Sequence, residues 1–80
     1  MPTVLKIGPF RFFFFSAENG EPAHIHITTG RKEAKVWLAG IELAYSYGFK
    51  PHELTQLLVL TRENKELLLE AWNEHFKHTA

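Results

Sequence analysis

The chain contains no cysteine, which excludes a disulfide framework and a zinc site built on thiolates. A secreted domain this small more often carries bridges, so the expected compartment is the reducing cytoplasm. Charge of one sign is lacking too. Nine basic residues balance nine acidic ones, so no overall field holds a polyanion, and non-specific binding to nucleic acid or to a membrane surface loses its usual driver. A local patch stays open. No apolar run approaches the roughly 20 residues of a membrane span, and Met1 to Lys6 lacks the charged-then-apolar layout of a signal peptide. A soluble protein with no membrane partner is expected. Serine stands only at positions 16 and 46, without a nucleophile-elbow context, and no glycine loop could cradle phosphate.

What is present fits one domain over residues 1–80. A chain of this length buries only about 60–65% of the surface it exposes when unfolded, so a partner or an oligomer would help complete its core. The hydrophobic period changes near residue 48, from strand-like to helical. Thr3 to Ile7 is a short apolar run ended by Gly8-Pro9, and Phe10 to Ser16 is an aromatic run with strong β preference. Ala17 to Pro22 supplies turn chemistry through Asn19-Gly20 and Pro22. Ala23 to Thr28 and Lys32 to Leu38 are the next strands, with a turn at Thr29-Gly30-Arg31. Residues 41–47 fit a strand through Ile41, Leu43, Tyr45 and Tyr47, or a short helix through Ile41, Ala44 and Tyr45.

From Pro51, a good first helical residue, Leu54, Leu57, Leu58, Leu68, Leu69, Trp72 and Phe76 fall on one helical face. The polar stretch 61–66 interrupts that stripe. The expectation is two helices, about 51–62 and 65–77, with Asn64 capping the second; one bent helix is the alternative. The fold class is therefore α+β: an antiparallel meander of three to five strands over residues 3–47, with the two helices packed on one face.

Period-two parity sorts the strands into faces. Phe10, Phe12 and Phe14, Ile25 and Ile27, and Ala34, Val36 and Leu38 form apolar sets that belong under the helices. The opposite face then collects Arg11, Phe13, Phe15, His24, His26, Lys35 and Trp37. That face is aromatic for one turned to water, and contiguous exposed apolar area marks interaction sites. A protein interface over Arg11, Phe13, Phe15 and Trp37 is one reading. Coverage of the odd-numbered phenylalanines by the first strand or by segment 39–50 is the other.

Two histidines at i and i+2 on a strand put both imidazoles on one side, a spacing used by metal sites. Glu21 with His24 and His26 is the candidate ligand set; Glu18, Glu33, His52 or a histidine near the C-terminus could also add a third ligand. The spacing is similar to the H-x-H of cupin barrels, yet Glu33 lies too far along the chain and the later histidine has no matching strand. Nothing local repeats a pattern such as H-E-x-x-H. No cofactor is expected, a divalent metal being the alternative. The same imidazoles could act as general acid and base, with Arg31, Lys32, Lys35 or Arg11 stabilising a phosphate in transition. That would suit metal-independent RNA cleavage, with Phe13, Phe15 and Trp37 stacking bases. The candidate catalytic set is His24, His26, Arg31 and Lys35. Structural histidines, bonded to loop carbonyls or to Glu21, are the third reading.

Residues 43–54 resemble part of a helix-turn-helix, with Gly48-Phe49 in the turn position and Leu54 after it. The would-be recognition helix offers His52, Thr55 and Gln56 but little arginine or lysine, so DNA is the weaker nucleic-acid reading. Glu66, Glu70 and Glu74 repeat every four residues and read as a solvated face.

The words Gly8-Pro9-Phe10-Arg11-Phe12-Phe13-Phe14-Phe15-Ser16, Glu21-Pro22-Ala23-His24-Ile25-His26-Ile27 and Ala34-Lys35-Val36-Trp37-Leu38 resemble one small bacterial family. Glu42-Leu43-Ala44, Tyr47-Gly48-Phe49 and Leu67-Leu68-Leu69-Glu70-Ala71-Trp72-Asn73-Glu74 extend the likeness over nearly the whole chain. The family is called domain of unknown function 4160. Its members usually read E-P-P-H-I-H-V where this chain has Ala23 and Ile27; Glu21, His24 and His26 are matched. The resemblance implies no settled activity. It does imply a genetic setting, because members often lie beside a gene for another small family, domain of unknown function 2442, in an arrangement similar to toxin–antitoxin pairs. The expected function is a partner-binding component of such a pair, the partner being a member of that second family or a second copy. A histidine-based ribonuclease acting on RNA, a DNA-binding helix-turn-helix and a metal-binding domain are the alternatives.

Overall fold

The computed structural model describes residues 3–14 and 20–76. Five strands run in chain order across one antiparallel sheet: β1 (Thr3–Ile7), β2 (Phe10–Phe13), β3 (His24–Thr29), β4 (Lys32–Trp37) and β5 (Glu42–Tyr47). Two helices follow, α1 (Pro51–Glu63) and α2 (Lys65–Phe76). The α+β meander with trailing helices is as the hydrophobic periods indicate. Residues 41–47 resolve in favour of strand, and the long apolar stripe divides into two helices. The expected strand over Phe10 to Ser16 ends at Phe13 in the described chain; Phe15, Ser16, Glu18 and Asn19 lie outside the described residues.

Each short connection has a local cause. Gly8 (φ 56°) and Gly30 (φ 59°) take the left-handed backbone that lets β1 turn into β2 and β3 into β4. Between β4 and β5 that conformation falls on Ile41 (φ 51°) instead, a β-branched residue for which it is strained by about 1–3 kcal/mol. Burial of its side chain in the core offsets the strain.

At α1 Pro51 occupies the first turn, and the Lys50 N–H donates to Glu53 Oε1 (2.8 Å). Glu53 Oε2 accepts from Lys32 Nζ (2.7 Å), so one carboxylate ties the start of the helix to the start of β4. Asn64 alone separates the helices and serves both. Its carbonyl accepts the Leu68 N–H (2.9 Å) and so begins α2. Its side-chain amide does not cap α2; it donates back to the Leu60 carbonyl (2.8 Å) and closes α1.

The core forms where parity puts it. Phe10, Phe12, Phe14, Ile25, Ile27, Ala34, Val36 and Leu38 are buried in one cluster with Leu57, Leu68, Trp72 and Phe76 of the helices. Register breaks parity at one decisive place. Lys35 pairs with Tyr45 and Val36 with Leu43, leaving Ala44 as an extra residue in β5. Leu43 therefore faces the helices with Val36, while Tyr45 and Tyr47 lie with Lys35 and Glu33 on the other side.

Candidate functional site

The register assembles the helix-free face row by row. Lys6, Arg11, Thr28, Glu33 and Tyr47 form one row across all five strands. Phe13, His26, Lys35 and Tyr45 form the next, and His24 pairs with Trp37, which pairs with Glu42. The two histidines do share a side, with ring centroids 5.1 Å apart in an edge-to-face arrangement.

The face is not the open aromatic surface that its composition suggests. Phe13 is buried, and so are both histidines, His24 at 0% exposure and His26 at 3%. Among the described residues, several neighbours pack against these rings. The Arg11 guanidinium lies 4.8 Å from the centre of the Phe13 ring, and Phe13 stacks on His26 (5.5 Å, 24° between planes). His24 meets Trp37 edge-on at 5.5 Å and Trp72 of α2 at 4.9 Å. Trp72 also meets Phe14 edge-on at 5.2 Å. Since Phe14 belongs to the helix-covered side and His24 to the other, the two faces of the sheet join around one indole at this end.

A polar string borders the buried rings. His24 Nδ1 lies 2.9 Å from the Pro22 carbonyl. A carbonyl only accepts, so Nδ1 carries the proton and donates. Glu21 Oε1 stands 3.8 Å from the same nitrogen and accepts from Lys35 Nζ at 2.6 Å. The Lys35 ammonium also sits 4.5 Å from the Trp37 ring centre. Glu21, His24, His26, Lys35 and Trp37 are thus brought together as the sequence leads one to expect. Arg31 is not. It lies exposed in the β3–β4 turn, beyond Lys32, and about 10 Å of strand separates Lys32 from the Lys35–His26 row. Phe15 lies outside the described residues.

The remaining expectations are met unevenly. Among the described residues no group of three or more His, Asp or Glu side chains could hold a metal ion. Glu21 is turned to Lys35, Glu33 accepts from the Tyr45 hydroxyl (2.9 Å), and His24 Nδ1 faces a carbonyl. The helix-turn-helix reading of 43–54 needs a helix where the chain forms β5, because the period-two tyrosines pair with β4. Among the described residues no helix is long and apolar enough to cross a membrane. The geometry moves the acidity of Glu53. The hydrogen bond from Lys32 first, then that from the Lys50 N–H, hold its carboxyl below the ordinary 4.5.

Sequence reasoning missed two members of this face and the helix residue that closes one end of it. Tyr45 (44% exposed) and Tyr47 (71%) belong to it because of the extra residue at Ala44, and period-two counting carries them instead with Leu43. Trp72 reads as a core residue of the helical stripe, which it is, but nothing in the stripe shows that it reaches His24.

A search of curated proteins and of solved structures finds no match to the chain. A family model, described as Domain of unknown function (DUF4160), matches residues 10–73. That stretch runs from the first residue of β2 into α2, takes in the paired histidines, Lys35, Trp37, both tyrosines and Trp72, and makes this chain a member of that family.

Proposed function

We propose that this chain is the protein-binding component of a two-protein, toxin–antitoxin-like pair, and that the helix-free face takes the partner. One observation carries the reading: on that face the groups fit for catalysis are buried and the groups fit for contact are exposed. His24 and His26 are at 0% and 3%, whereas Tyr45 and Tyr47 reach 44% and 71%. An acid or base must meet the proton it moves within hydrogen-bond reach, directly or through one water. Large amphipathic rings at the surface are what protein interfaces select.

The test is co-expression with the product of the neighbouring gene, expected to be a member of the domain of unknown function 2442 family, followed by isolation of the complex. Arg11→Ala and Trp37→Ala, checked for native circular dichroism, are expected to weaken the complex by about tenfold or more, as central interface residues do. Absence of any complex defeats the proposal.

The histidine ribonuclease is the second reading, favoured by the 5.1 Å approach of the two rings on one side. RNA cleavage by the isolated chain that disappears in the His24→Gln/His26→Gln variant would replace the first reading with the second.

A further inference from the structure

The register of the sheet sets two like charges directly opposite each other. Lys6 of β1 and Arg11 of β2 are cross-strand partners on the helix-free face, and such partners hold their Cβ atoms about 4.5–5.5 Å apart. Two cations in that relation destabilise the sheet. Among the described pairings no other sets like charges together. The lysines of β4 meet acids instead, Lys32 with Glu53 and Lys35 with Glu21. Arg11 lies over the Phe13 ring, which attracts a cation without cancelling its charge. Lys6 is exposed, and among the described residues its ammonium has no ion pair. A local rule of folding that is broken on a surface otherwise in order points to a function there.

The row that begins with this pair runs on through Thr28 and Glu33 to Tyr47. Its far end is aromatic, with Tyr47 71% exposed and the Tyr45 hydroxyl bonded to Glu33. The Glu33 carboxylate stands in the path that a string of phosphates laid along the row would follow, so the row does not suit the evenly spaced charge of RNA. A protein segment can confine its charge to one end. A carboxylate placed between Lys6 and Arg11 turns one repulsion into two attractions, and the guanidinium offers it paired N–H donors. We infer that the protein partner of the helix-free face docks through an acidic segment, its carboxylate held between Lys6 and Arg11 and its apolar part laid toward Tyr47. This rests on the protein-binding reading of that face and adds the chemistry of what binds there.

The experiment titrates the full chain with the product of the neighbouring gene by calorimetry, at about 0.05 and about 0.5 M NaCl, for wild type, Lys6→Gln and Lys6→Glu. Lys6→Glu is expected to weaken the complex about tenfold at low salt and to flatten its salt dependence, with Lys6→Gln between it and wild type. The same Lys6→Glu change sets an acid across from Arg11, so it is expected to raise the thermal midpoint of the free chain by about 1–4 °C. Weaker binding together with a more stable fold is a result that structural damage does not produce. A weakened complex with a lowered midpoint overturns the inference, because the change has then acted through the fold. A complex indifferent to both salt and Lys6→Glu overturns it too and leaves the protein-binding reading standing, whereas failure to form any complex defeats both. Binding of an oligouridine by the chain alone that disappears in Lys6→Glu also overturns it, since the two cations then serve phosphate.

Discussion

β3 and β5 belong to one sheet, with β4 between them, yet their composition and their exposure run in opposite senses. β3 carries two histidines and buries both; β5 carries two tyrosines and exposes both. Hydropathy alone would reverse the assignment. What decides it is position: β3 is central, flanked on both sides and closed at one end by Trp72, while among the described residues β5 pairs with β4 alone. The polar part of a buried imidazole needs a partner, and the Pro22 carbonyl supplies one to His24. An exposed tyrosine has water within reach of its hydroxyl. The contrast teaches that the chemically suggestive pair on this face is built into the interior, and that the surface is held by residues with little chemistry and large contact area.

The largest expected effect bears on the closed end. Trp72→Ala removes the ring that touches His24, Phe14 and Phe76, and a loss of about 3–5 kcal/mol is expected in urea unfolding. A loss below about 1 kcal/mol would mean that the indole does not join the two faces. Next, His24→Gln is expected to destabilise by about 1–3 kcal/mol, through the lost ring contacts and a disturbed bond to Pro22. A catalytic pair on an open face would instead leave stability almost unchanged on such a replacement. Unchanged stability with lost activity would return β3 to the surface side of the comparison.

A smaller effect concerns the opposite end of the β3–β4 ladder, where Glu53 and Lys32 join helix to sheet through a partly exposed pair. Because the folded carboxyl titrates below its ordinary 4.5, its stabilising contribution is present above that value and is lost as pH falls through the folded pKa. Glu53→Gln should therefore lower stability by a constant amount above about pH 5.5. The two proteins should converge as the pH drops below 4.5 and through the folded value. A difference that persists in acid would show that charge is not its source. The smallest effect is expected at the exposed extreme. Tyr47→Ser should change the unfolding free energy by no more than about 0.5 kcal/mol. A larger loss would show that Tyr47 supports the fold as well as the surface.

Parity is a good guide wherever strands run without interruption. Phe10, Phe12 and Phe14, Ile25 and Ile27, and Ala34, Val36 and Leu38 all fall under the helices as period-two counting requires. The placing of His24 and His26 on one side follows from the same count. Coverage is not legible, because it depends on cross-strand register and on how far a helix side chain reaches. Nothing local in Arg11, Phe13 and His26 states that they will stack on one another, nor does the helical period of Trp72 point to His24. Arg31 is close to the histidines along the chain, but the hairpin carries it to the far end. The strand-or-helix ambiguity of 41–47 has a physical origin as well: Ile41 lies in the turn and Ala44 is an extra residue, so neither period holds throughout.

That extra residue gives β5 slack against changes in chain length. Loss of one residue inside a strand ordinarily turns everything beyond it to the other side of the sheet. An in-frame loss of the Ala44 codon would not, because Ala44 already stands outside the ladder. Leu43 would still face the helices, and Tyr45 and Tyr47 would still face away from them. A loss at Ser46 differs: keeping Leu43 and Tyr47 on Val36 and Glu33 would draw Ala44 opposite Lys35 and turn Tyr45 to the helix-covered side opposite Ala34. The edge of this sheet can therefore shed Ala44 without unseating the core, a freedom that the uninterrupted strands at its centre do not have.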